Sequence, residues 1–222
     1  MKPIITAGAR LRHLGFSIFL PVLLAASTPF PATAATVAMD VNEEQIRAWN
    51  RFANTLIELH KQGLAGREIK TSETAGRHGG EFANRFTYRE VSYYDAKNGR
   101  LLSRIRREDN KPENIQMIDV FVYDSSGRVI RDYTAIYLPW ARNAPIRTFI
   151  NLHQYENGLH GFRQFDASGN RLYEQCRGKL SGTEVNLSLE DYQVDSRIME
   201  SAAYRACFTK LPETPERYLI PH

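Results

Sequence analysis

The chain has 222 residues, 42% of them hydrophobic, with 29 basic against 25 acidic side chains. Three of the basic residues and none of the acidic ones precede residue 35; without them the balance is 26 to 25, a net of +1, which removes the charge argument for nucleic acid as a partner.

Those first 34 residues read as a secretory signal peptide. Lys2, Arg10 and Arg12 form a basic start, Leu14 to Ala26 an apolar run, and Ala32-Thr33-Ala34 a small-x-small cleavage site. The run is shorter than the ~20 residues a spanning helix needs. The sequence therefore predicts export, to the periplasm of a Gram-negative host or to the medium otherwise, with no membrane insertion after cleavage. Residues 35–210 are expected to form a single α+β domain, and residues 211–222 an extended, Pro-containing tail. An even count of two cysteines in an exported chain predicts a disulfide between Cys176 and Cys207.

From Asp40 to Gly63 the chain reads as a helix. Asp40 to Glu43 has a capping pattern, and Ile46, Trp49, Phe52, Ala53, Leu56 and Ile57 recur at helical spacing. Residues 64–80 are polar and Gly-rich, a loop with room for a short strand at Ile69 to Thr71. Gly79-Gly80 is not followed by the Gly-Lys-Ser/Thr of a phosphate loop.

An antiparallel meander of about eight strands follows, a curved sheet or partial barrel. Its signals are hairpin turns: Asp95 to Gly99, Asp124-Ser125-Ser126-Gly127, Asn157-Gly158 and Asp166-Ala167-Ser168-Gly169. Strands are predicted at 86–94, 101–107, 115–123, 129–138, 146–155, 159–165, 171–176 and 184–192. Simple opposition across each turn sets Ile118 against Thr134, Phe121 against Arg131, His153 against Phe162, Tyr155 against His160, and Cys176 against His160. After Asp195 the pattern turns helical.

The register gathers His153, Tyr155, His160 and Cys176 into one patch. Such a patch could be a metal or acid/base site, but a bridged thiol cannot bind zinc, and opposition places no carboxylate beside the pair. Arg104 and Arg106 share a face and could receive an acidic group, or pair with Glu90 across the hairpin. Trp140 and Arg142 sit in a Pro-bounded connection, as an exposed anchor or a lid over the core. No linear catalytic motif is present and no cofactor is indicated. The expected function is an exported, non-enzymatic binding or protein-interaction module, with Trp140, Arg142, Arg104, Arg106, His153, Tyr155 and His160 as its candidate binding residues. Its partner would be a protein or an apolar small molecule. The alternatives are a carrier holding an apolar molecule between helix and sheet, a small hydrolase or metal enzyme using His153 and His160, and, with least support, an outer-membrane barrel.

Overall fold

The computed structural model describes residues 43–78, 87–140, 143–190 and 196–222. The signal segment, the capping residues Asp40 and Asn42, the Gly79-Gly80 pair and Arg142 lie outside them. Helix α1 spans Glu43–Leu64, with two glutamates in its first turn and Lys61 in its last, charges that suit the two ends of the helix dipole. It buries the centre of the predicted stripe: Phe52, Ala53 and Leu56.

Nine strands follow: β1 Ile69–Arg77, β2 Thr87–Asp95, β3 Leu101–Glu108, β4 Lys111–Tyr123, β5 Val129–Ile136, β6 Arg147–Glu156, β7 Leu159–Phe165, β8 Arg171–Leu180 and β9 Thr183–Glu190. They pair antiparallel in chain order as one open sheet. The predicted meander flanked by helices is the observed architecture, with β1 as the ninth strand and longer than its sequence suggested. The C-terminal helix divides into α2, Ser196–Met199, and α3, Ala202–Phe208, capped by the Ser201 hydroxyl.

The turns form as their residues dictate. Gly127 and Gly169 take φ of 87° and 93°, where any Cβ would strain. Asn157-Gly158, at φ 50° and 78°, makes a two-residue turn of the kind hairpins favour. Ser181-Gly182 does the same between β8 and β9, at φ 50° and 85°.

The strands beyond three of these turns differ from simple opposition. Pairing runs Tyr94 with Leu101 and then Tyr93 with Ser103. It runs Tyr123 with Val129 and then Val122 with Arg131, and Phe165 with Arg171 and then Gln164 with Tyr173. One residue is passed over each time: Leu102, Ile130 and Leu172, always three past the turn glycine. Such a bulge moves everything after it to the other face. Ile118 therefore opposes Ala135, not Thr134, and Cys176 opposes Gly161, not His160. Arg131, expected over Phe121, instead lies 5.6 Å from the Tyr218 ring and donates to the His222 carbonyl. The Asn157-Gly158 hairpin has no bulge, and there the expected register holds.

The bulges align one apolar face. Ile105, Ile118, Val120, Tyr133, Ala135, Ile150, Leu152, Phe165 and Cys176 are buried on it. Helix α1 covers β3 to β5, where Phe52 meets Tyr133 edge-on at 6.2 Å. Helix α3 covers β6 to β8 and comes close enough that a Cβ on Gly161 would collide with the Cys207 carbonyl. The predicted Cys176–Cys207 disulfide fixes it there, with Cα atoms 6.0 Å apart. In the chain-entropy account, closing this loop stabilises the fold by roughly 3 kcal/mol.

Beside the disulfide, Arg163 is completely buried. Its Nε donates to Glu174 at 2.5 Å, and Nη1 donates to the carbonyls of Leu211 and Pro212 at 3.1 and 2.6 Å. The Tyr204 hydroxyl donates to the other Glu174 oxygen at 2.9 Å. The tail is thereby held down, not merely extended: Leu211 and Pro215 are buried, and Glu216–Tyr218 forms a 3-10 turn.

Removing one member of a buried ion pair strands the other, at a cost of about 3–5 kcal/mol. Arg163→Ala is expected to lose that much in urea denaturation, whereas Arg163→Met combined with Glu174→Leu regains most of it. A single variant within about 1 kcal/mol of wild type would contradict the assignment.

Candidate functional site

The strand residues that alternate with the core point to the opposite face, where none of the described helices packs. Two side-chain networks cross it. The first spans β2 to β5. Arg106 Nη2 meets Glu90 at 2.8 Å, and Arg104 meets Asp119 through Nη2 at 2.7 Å and Glu90 through Nη1 at 3.8 Å. The Thr134 hydroxyl donates to Asp119 at 2.7 Å, and the Arg106 guanidinium lies 4.1 Å from the Tyr88 ring. Arg104 and Arg106 are thus neutralised by their neighbours, and the open anion-receiving pair that the sequence allowed is not what these contacts make.

The second network spans β5 to β7. The Asp132 carboxylate receives His153 Nε2 at 2.8 Å and the Asn151 amide at 2.6 Å. Asn151 in turn accepts from the Gln164 amide at 2.9 Å. His153 Nδ1 is 3.0 Å from His160 Nε2. The two rings lie within 7° of parallel with centroids 5.3 Å apart, a separation that sets them edge to edge, as an in-plane hydrogen bond requires. A carboxylate only accepts, so Nε2 of His153 carries its proton. With His153 neutral, Nδ1 accepts from His160 Nε2, and the one lone pair left in the chain is on His160 Nδ1. The Tyr155 ring stacks on His160 at 4.5 Å, and the Arg128 guanidinium sits 4.8 Å from the Tyr155 ring.

Sequence reasoning brought His153, Tyr155 and His160 together correctly. It erred twice around them. Cys176 belongs to the core face, bridged to Cys207. Asp132, the carboxylate that opposition could not supply, stands beside His153. Both errors come from the unrecognised bulges at Ile130 and Leu172. The signal was present: Gly-x-x-Leu/Ile recurs after all three turns.

The remaining candidates are separate from this chain. Trp140 is 50% exposed, and Ile146 on the same β5–β6 connection is 40% exposed. That connection is tied to α1 by the Asn50 amide, which donates to the Asn143 carbonyl at 2.6 Å. A cleft of about 280 Å³ opens where the end of α1 meets β3 and β4, lined by Leu59, His60, Arg67, Arg100, Leu102 and Val122 among others. Among the described residues, no group of three or more His, Cys, Asp or Glu side chains is placed to hold a metal ion. Comparison with protein-family models, with curated proteins and with solved structures finds no match to this chain.

Burial holds the His160 pKa below its usual value of 6.5, helped by His153 and by Arg177. A base whose folded pKa is depressed favours the folded state only while neutral. Its contribution is complete above pH 6.5 and is lost as pH falls from there through the lower, folded pKa. NMR titration is expected to show the His160 ring protonating below pH 6.5. The wild-type chain should lose more stability over this acid window than His160→Gln does. Equal losses would show that His160 is not the responsible group.

Proposed function

We propose that this chain is an exported binding module that recognises a partner protein through the helix-free face of its sheet. The observation that carries the reading is the lateral bonding of that face. From Glu90 to Gln164 its polar side chains are held to one another before any partner arrives. Side chains already fixed lose less rotamer entropy on binding. The face carries residue types enriched at interfaces, Tyr, Phe and Arg, including Phe162 and Tyr173 with ring centroids 6.0 Å apart. Trp140 and Ile146 add exposed apolar surface at the ends of β5 and β6. The disulfide suits an oxidising compartment, and together with the signal-like N-terminal sequence it supports export. Beneath the middle of α1 the space against the sheet is filled by Phe52, Ala53 and Leu56, and a cleft opens only at the helix end, which argues for surface recognition over carriage of an apolar molecule under the helix.

A second reading has its own support. The Asp132–His153–His160 chain orients an unprotonated nitrogen as acid/base catalysis would require, and it favours the hydrolase alternative more than the sequence did.

The two readings separate in one set of variants of the chain purified from its host. Tyr155→Ala, Phe162→Ala and Trp140→Ala are each expected to weaken a co-purifying protein partner by about 2 kcal/mol or more, with the melting temperature little changed. His160→Gln should abolish any hydrolytic turnover if the second reading holds and leave partner affinity nearly intact if the first does. Retention of the partner by all three truncations would overturn the recognition face.

A further inference from the structure

The open sheet has two edges, and they are built differently. Edge strand β1 is exposed along almost its whole length and carries Lys70, Glu73 and Arg77; Glu73 also holds Arg89 of β2 at 2.7 Å. Charges spaced along an edge discourage a further strand from adding to it. Edge strand β9 has no proline and no basic residue. It pairs with β8 through eight successive positions without a bulge. Val185 and Leu189 are buried on its core side, with Leu187 half-buried between them, and Glu184, Asn186 and Ser188 are exposed on the other. Among the described residues, no backbone hydrogen bond beyond the sheet's own ladders is made by Thr183 to Leu189. Half the backbone groups of such a strand point outward, ready for a ladder.

We propose that β9 pairs antiparallel with β9 of a second copy of this chain, about a two-fold axis at Asn186, joining two sheets into one. Charge and parity select this arrangement. Opposed residues must share a face, so the axis must pass through a residue position. With the axis at Asn186, Glu184 opposes Ser188 of the second copy, Val185 opposes Leu187, and Thr183 opposes Leu189. The apolar row continues across the junction and no like charges meet. Asn186 faces its own counterpart, and side-chain amides are mutually complementary as donor and acceptor. Moving the axis to Leu187 sets Glu184 against Glu190 twice, and like charges directly opposed are destabilising. Moving it to Val185 shortens the overlap and drives the Ser181-Gly182 turn into the ladder. An isologous contact of this kind closes on itself, so it yields a dimer and not a fibre. This junction is independent of the recognition face proposed above.

The test is sedimentation equilibrium of the chain at up to roughly 100 µM, with two charge variants. Ser188→Glu places a like charge opposite Glu184 of the second copy and is expected to weaken the dimer several-fold. Ser188→Lys places an opposite charge there and is expected to tighten it. Both lose the Ser188–Tyr173 hydrogen bond equally, so a general effect on the fold would move them together. Asn186→Cys adds the only free thiol and should cross-link two copies on oxidation, whereas Glu184→Cys, far from its own counterpart, should not. A chain that stays monomeric over this range overturns the proposal. So does a dimer indifferent to the charge at position 188, or one that cross-links through position 184 in preference to 186.

Discussion

A one-residue insertion in the strand after a turn decides which side of this sheet is wet. Because side chains alternate, a bulge at Leu102, Ile130 or Leu172 exchanges the inner and outer sets of everything that follows. With the bulge at Ile130, Tyr133 and Ala135 join Ile118 and Val120 beneath α1, and Asp132 and Thr134 face away. Without it, a carboxylate would enter the core and a buried tyrosine would leave it. The helix-covered core, the His–Asp chain and the disulfide all depend on that parity. The three insertions occupy equivalent positions, so one local solution has been used three times in an otherwise irregular meander.

Much of this was legible in the sequence. Strand existence, turn positions, the α1 stripe and the pairing of Cys176 with Cys207 follow from periodicity, turn chemistry and cysteine arithmetic. Hairpin register was legible where the turn residues settle it alone, as at Asn157-Gly158. It was not legible where backbone twist inserts an extra residue three positions past the turn glycine, because nothing about Ile130 as a residue type marks it as unpaired. Only comparison of the three turns with one another carries that information. Strand β1 was mostly missed because its polar, Gly-containing sequence has no apolar alternation; pairing with β2 holds it, not burial. The Arg163–Glu174 pair was invisible for the opposite reason. An arginine in a strand reads as a solvent-facing residue until the fold supplies a buried carboxylate and two carbonyls around it.

That buried pair and the disulfide act on the same part of the molecule. The disulfide ties α3 to β8, and Arg163 carries the restraint onward to the carbonyls that begin the tail. The tail then reaches back to β5, where Arg131 lies against Tyr218 and holds the final carbonyl. A covalent bond at one end and a guanidinium at the other keep a short, weakly helical segment in one place, which its few residues of helix could not do alone.

Strict chain-order pairing of the nine strands also bears on how this protein is made. Every ladder joins neighbours in sequence, so the sheet extends hairpin by hairpin without closing long loops, the condition under which folding is fast. Helix α1 is the exception. It precedes all the strands, yet its surface is assembled from β3 to β5, and its Trp49 indole reaches Ser168 far along the chain. Of the described elements, the first to emerge during synthesis is therefore among the last to find its place. Until β5 has paired, Phe52 and Leu56 have no complete surface to cover, and a chaperone that binds exposed apolar helices would meet them there first.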